Sequence, residues 1–469
     1  MKVRVWLAIL GTFAIFSRLG GLCNAFQPGA EAETGRSAAS SIPTPAARSV
    51  GPGSDSLCPA LTPPSGPTVT VSSEAELRNQ ASSAAAGTTI LVTAGTYNLQ
   101  NFIHVAHAGI TIRGATGDRD DVVLDGGGML SGSHTHVILI EADDVTVADL
   151  TIRNADQHGI SVNGSDRPLL YNLHIFDTGY QLVKVNPVGD GSEDGLLACS
   201  RLAYTTASPA EYTNGISAHN AHRWTVRDNE WVRIRTPGNT PAPTILFWSG
   251  STDTVVERNM LIDCYQGIAF GNSSHGPGDH SGGVVRNNMI YASMLHDSVV
   301  EMVHASGWLV VNNTALLLNP DGVTWGMEAR FADTAGTFAD NLLNMAIINR
   351  DGAGATLVGN VTTAESSWFA YAASADLHLA PSASGAIDRG TTRAEVPDDY
   401  DGDSRPIGAA SDVGADEAGL PGPPLPPVAY LPVVMTGGSA ASAAPAASAA
   451  LAAPAASTLK SCAPRNPTE

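Results

Sequence analysis

The chain has 469 residues, of which 48 are glycine and only 15% are charged. That balance argues against a helical protein and suits many short strands joined by tight turns. The formal charge of −20 excludes nucleic acid and anionic membrane as partners. It also repels an acidic polysaccharide, unless a local basic patch or a divalent cation offsets the field.

Residues 1–25 read as an export signal. Lys2 and Arg4 precede an apolar run from Val5 to Phe16, and small residues near Cys23-Asn24-Ala25 suit a signal peptidase. The run is too short for a membrane span, so a secreted or cell-surface location is expected. Residues 26–67 are rich in Ala, Ser, Pro and Gly with no apolar period, which predicts a flexible linker. Residues 68–418 form the expected folded body. Residues 419–469 form a Pro/Ala-rich tail. Its short apolar island, Val428 to Met435, is too short for an anchor but suits sorting or docking. Cys199 and Cys264 lie in apolar, strand-like runs, while Cys58 and Cys462 lie in the ends. Export permits a disulfide, and buried thiols are an equal alternative.

The body carries an internal repeat. An apolar-x-x-Asn phrase recurs as Val226 to Asn229, Val256 to Asn259, Val285 to Asn288, Val310 to Asn313, Phe338 to Asn341 and Leu357 to Asn360. A second phrase recurs as Gly159-Ile-Ser-Val162, Gly215-Ile-Ser-Ala218 and Gly267-Ile-Ala-Phe270. Short alternating strands at a fixed period predict a solenoid, because one coil cannot bury its own apolar face but a stack can. The recurrent Asn fits a tight bend, where it tolerates the left-handed region and its amide can bond the Asn of the next coil. A propeller would need about twice as many strands per repeat.

Thr88 to Tyr97 (TTILVTAGTY), preceded by a helix-like stretch from Glu74 to Ala86, resembles the first strand and cap of pectate-lyase-like β-helix proteins. Asp399 to Gly408 and Asp412 to Glu417 resemble the closing segment of secreted bacterial β-helix proteins. The resemblance implies an all-β fold, a single-stranded right-handed parallel β-helix, and spans the whole body. It leaves activity open, since the superfamily holds lyases, hydrolases, epimerases and non-enzymes.

Stacking the second strand gives a register. With Ile160, Val183, Ile216, Ile245, Ile268, Val300 and Met327 pointing inward, the next residues point outward: Ser161, Lys184, Ser217, Leu246, Ala269, Glu301 and Glu328. A second outward column reads Asn163, Asn186, His219, Trp248, Gly271, Val303 and Arg330. Neighbours in a column stand about 4.8 Å apart, and a one-residue slip would turn all of them inward.

Lys184 stands out as the only lysine of the body, in the apolar strand Leu182 to Val185. A desolvated lysine beside other cations can act as a base, and His219, His222, Arg223, Arg227, Arg233 and Arg235 lie on nearby coils. β-Elimination of a uronic-acid polysaccharide needs a base and a cation to stabilise the enolate-like charge. Lys184 with His219, Arg233 and Arg235 fits that need. The resemblance implies the same, since several β-helix lyases use Lys or Arg as base, often with calcium. The bland alternative is a solvated lysine beside structural arginines. Glu301 and Glu328 on adjacent coils would instead suit a retaining glycosidase, or be separate carboxylates with one paired to Arg330. Trp248, Arg330 and Asn186 are candidate substrate contacts.

The histidines show no metal-type spacing, so no metal ligand set is assigned. Asp399, Asp401 and Asp403 around Gly402 resemble a calcium loop but lack the closing Glu, and a solvated acidic turn is the alternative. The expected partner is an extracellular polysaccharide, bound and cleaved by a lyase or a glycosidase, with the protein a monomer. A non-catalytic surface or adhesion rod is the rival from a different class.

Overall fold

The computed structural model describes residues 57–318 and 325–419. The export signal, most of the expected linker and the tail with its apolar island lie outside the described residues.

The body is a stack of coils whose strands pair in parallel with those above and below. One face is a ladder of ten strands, running from Ile103–Val105 at one end to Ile347–Arg350 at the other. The remaining faces belong to a folded 24-stranded sheet. One coil illustrates the winding. Its strands are Ile216–His219, Ala221–His222, Thr225–Arg227 and Glu230–Val232. Asn220, Arg223, Asp228 and Arg233 turn the chain after these strands, each with a positive φ between 48° and 57°. Inside, Ile216, Ala218, Val226 and Trp231 are fully buried. Gly215 makes room for this packing, since a Cβ there would stand 2.4 Å from the Trp231 ring.

The register follows the stacking expected from sequence. Val183 pairs Ile160 and Ile216, Ile245 follows, then Ile268, Val300 and Met327. No residue slips, because any slip would turn this apolar column out to solvent and the polar one in.

The recurrent asparagines form a buried ladder. The amide of Asn229 donates to Asn259, Asn259 to Asn288, Asn288 to Asn313, Asn313 to Asn341 and Asn341 to Asn360, over 2.8–3.1 Å. The left-handed residue is the one before each: Asp228, Arg258, Asn287, Asn312, Asp340 and Gly359. The bend is thus shared. One residue takes the strained φ, and the next turns its amide inward to satisfy backbone groups of the turn.

Helix Glu74–Ser83 caps one end, with Leu77 and Ala81 buried. Ser73 accepts from the Glu76 N–H and the Glu76 carboxylate accepts from the Ser72 N–H, close to a capping box. At the other end residues 366–418 fold back along the outside of the 24-stranded sheet. Phe369, Leu377, Val413 and Ala415 cover Tyr291, Leu316 and Leu342, and a fully buried Arg405–Glu417 pair locks the closing segment. The final residues of the expected linker are tied down. Cys58 forms a disulfide with Cys199, Tyr171 bonds the Pro59 carbonyl and Arg113 the Thr62 carbonyl. Cys264 is a buried free thiol. Among the described residues no helix is long and apolar enough to cross a membrane.

Candidate active site on the ten-stranded face

Lys184 lies on strand Val183–Asn186, pointing out of the ten-stranded face, yet it is only 6% exposed. The loop before the next rung covers it. That loop is held by Gln181, whose amide donates to Asn214 Oδ1 and the Tyr212 carbonyl, and by Asn214, which bonds the Pro243 carbonyl. It places the Tyr212 hydroxyl 3.1 Å from Lys184 Nζ. The next rung supplies Ser217 Oγ at 3.3 Å and His219 Nε2 at 2.7 Å. Three neutral acceptors therefore match the three donors of an ammonium. Among the described residues no carboxylate pairs with it. Burial alone pushes its pKa down, to about 8.

The surroundings are aromatic and uncharged. Burial, then the charge of Lys184, holds His219 down at about 3, so its ring is neutral. Burial raises the Tyr212 hydroxyl above its ordinary value. Trp248 packs edge-on to His219 with centroids 4.3 Å apart and against His275 at 4.6 Å on its other side. Its indole N–H reaches Ser217 Oγ at 3.3 Å. Trp248 thus packs on two rings of the protein and buttresses His219. His275 is in turn fixed by Asp279 at 2.7 Å. Asn186 donates to Asn163 on the rung below.

Such a face, made of stacked parallel rungs around a buried lysine, decides the architecture. The chain is a parallel β-helix. No protein-family model matches it, and no curated protein matches it. Solved structures do. An alginate lyase from Paenibacillus sp. str. FPU-7 is 20% identical with a TM-score of 0.46, over 62% of this chain and 97% of that one. Pectate lyase Pel9A is 13% identical with a TM-score of 0.48, over 72% of this chain and 90% of that one. The Dettilon tailspike protein is 13% identical with a TM-score of 0.37, over 58% of this chain and 62% of that one.

Along this β-helix the other expected site residues are spread out. Arg233 sits at the left-handed bend after Glu230–Val232. Arg235 bonds the Asp263 carbonyl and Asn239 and covers the Tyr265 ring. Arg223 pairs with Glu193 and Asp194, and Arg227 with Asp228. Of the expected basic cluster only His219 meets Lys184; Arg223, Arg227 and Arg235 are engaged elsewhere, and no arginine contributes to the lowered pKa of Lys184.

Glu301 and Glu328 are neighbours on adjacent rungs, as expected. Four rungs separate Glu301 from Lys184, roughly 19 Å at about 4.8 Å per rung. They do not share a site with the lysine. Glu301 accepts from Gln266 at 2.7 Å and pairs with Arg330 at 3.2 Å. Glu328 is 2% exposed and paired with Arg350. Burial raises the Glu328 pKa despite Arg350. Burial and Glu301 raise Asp297 to about 6. Arg330 also pairs with Asp351 and lies over Phe331.

In the Asp399–Asp403 turn one carboxylate is committed to the backbone. The Asp399 carboxylate accepts the backbone N–H groups of Asp401, Asp403 and Glu417. The nearby group His378, Asp401 and Asp416 is held by the histidine itself. Its nitrogens bond Asp376 at 2.6 Å and Asp401 at 2.9 Å, and these carboxylates outweigh burial to raise it to about 11, an imidazolium.

Sequence reasoning missed Tyr212, and Tyr180 on the preceding rung, whose ring centroid lies 6.2 Å from it. The tyrosines precede their rungs by three or four residues, in turns whose path no period fixes. Their recurrence just before Gln181 and Asn214, two polar residues in equivalent positions, was the available signal.

Proposed function

We propose that the protein binds an extracellular polysaccharide along its ten-stranded face and cleaves it by β-elimination, with Lys184 as the base. One observation carries this reading. A buried lysine with no carboxylate partner among the described residues, lowered to about 8, bonds a tyrosine hydroxyl at 3.1 Å. A general base works best when its pKa lies near the working pH.

The neutral amine takes the proton α to the uronate carboxylate. Electrons from that C–H bond form the ring double bond as the glycosidic C–O bond breaks. The leaving oxygen takes the Tyr212 proton, which burial keeps in place until then. Proton transfer makes Lys184 a cation beside the developing enolate, which stabilises the charge as it forms. The Lys184–Tyr212 hydrogen bond then returns the proton to the phenolate and resets both groups. Ser217 and His219 hold the amine, and Asp279 and His275 act through Trp248 to hold His219. The ion pairs of Glu301 and Glu328 favour this step over hydrolysis by that pair.

Polysaccharides incubated with the protein test the proposal. Unsaturated ends absorbing in the far ultraviolet are expected, and are lost in Lys184→Ala. Reducing ends without that absorbance, abolished by Glu301→Gln, would assign hydrolysis instead. Binding with neither product would assign a non-catalytic rod.

A further inference from the structure

On one side of Lys184 a line of rings crosses the rungs. Phe102 and His136 stand 5.9 Å apart by centroid, His136 and His158 5.8 Å, His158 and Tyr180 6.0 Å, and Tyr180 and Tyr212 6.2 Å. All five are partly or well exposed. From the rung of His136 to that preceded by Tyr212 the line spans roughly 14 Å, at about 4.8 Å per rung. It ends on the hydroxyl that bonds Lys184. Rings in an open row, each with a polar edge or an apolar face, are what a chain of sugar rings packs on.

The charge along this face is sparse. In the two outward columns between His104 and Ala269 the only lysine or arginine is Lys184, and the only carboxylate is Glu141, bonded to His104; beside the row, exposed Glu211 adjoins Tyr212. Burial lowers His136 and takes His158 to about 3, so both rings are neutral. A polymer with a carboxylate on every sugar would set several anions along this row, with one cation to meet them and a protein of net charge −20 behind. Screening acts only beyond about 8 Å at physiological salt.

Building on the proposed elimination, we infer that Phe102, His136, His158, Tyr180 and Tyr212 form a binding track for the neutral sugars of a mixed polysaccharide, one in which isolated uronates are spaced by runs of uncharged units. A single uronate sits at Lys184, and its uncharged neighbours lie over the rings.

Affinity electrophoresis with a Lys184→Arg chain, which keeps the cation but removes the base, tests this without cleavage. Gels contain either gellan, with one uronate per four sugars, or polygalacturonate, with one on every sugar. Retardation at least ~10-fold stronger by gellan at physiological salt is expected, with each tenfold equal to about 1.4 kcal/mol. Tyr180→Ala and His158→Ala should each reduce it several-fold, while Tyr180→Phe retains it. Far-ultraviolet circular dichroism reports whether each variant is folded. Equal or stronger retardation by polygalacturonate overturns the inference, as does retardation unchanged in both folded alanine variants. The two readings fail separately. Retardation lost in the ring variants, with no unsaturated product from the unsubstituted chain, removes elimination and keeps the track. Unsaturated product that is indifferent to the ring variants removes the track and keeps elimination.

Discussion

Replacing Lys184 by Met should make the protein less sensitive to pH, and the size of the effect follows from burial. The amine goes from an ordinary value of 10.5 in the unfolded chain to about 8 in the folded one. Every tenfold loss of proton affinity is worth about 1.4 kcal/mol, so carrying the ammonium in the folded state costs about 3 kcal/mol at neutral pH. Below about pH 8 both states bind the proton and the full penalty applies. As the pH rises from about 8 towards 10.5 the folded chain has released the proton while the unfolded chain still holds it, so stability rises with pH. Lys184→Met abolishes this dependence. The lost bonds to Tyr212, Ser217 and His219 shift the variant by an offset that the pH difference cancels. Urea denaturation of both chains at about pH 7 and about pH 9.5 measures it. Over that interval the unsubstituted chain should gain about 2 kcal/mol relative to the variant, from titration between about pH 8 and about pH 9.5. A difference independent of pH, or of opposite sign, would refute the claim that burial depresses this amine.

Elimination by the unsubstituted protein should rise with pH and level off above about 8, and Lys184→Ala should lower kcat by about 100-fold or more. Glu301→Gln should leave elimination within about twofold, because it lies roughly 19 Å from the lysine at about 4.8 Å per rung; a larger loss would mean that the two act together. Asn288→Ala removes an amide whose two ends serve Asn259, Asn313, Val256 and Arg286. It should cost about 3 kcal/mol or more in urea denaturation, given roughly 1 kcal/mol per bond and the orphaned groups left behind. Cys58→Ser should free residues 57–67 to proteolysis and cost about 2–4 kcal/mol, since the bridge closes a loop between residues 141 apart.

The winding of the chain was readable because its cause is local and repeated. Inward residues such as Val183, Ile216 and Ile245 must be apolar in every coil, and Asn229 to Asn360 mark the same bend each time. That repetition set the register to the residue and brought Lys184 next to Ser217. What the repeat does not govern was not readable. Tyr212 reaches Lys184 from a turn of irregular length, and Cys58 finds Cys199 from a segment with no period at all. Arg233 and Arg235 looked like partners of Lys184 because they follow a nearby strand. A left-handed bend at Arg233 and the ring of Tyr265 instead set where they lie. Trp248 occupies the expected column, but the column does not reveal that His219 and His275 flank the indole. The left-handed residue of each bend was expected at the Asn and lies one position before it, where Asp228, Arg258 and Asp340 make ion pairs while the next amide turns inward.

Competition labelling reads the protonation of Lys184 without any substrate. It is the only lysine among residues 57–419, so its acylation by acetic anhydride can be followed by peptide mass spectrometry across pH, with N-acetyl-lysine methyl ester in the same tube. The Lys184 rate should reach half of its plateau near pH 8. A midpoint at the ordinary lysine value of 10.5, shared with the free ester, would contradict it.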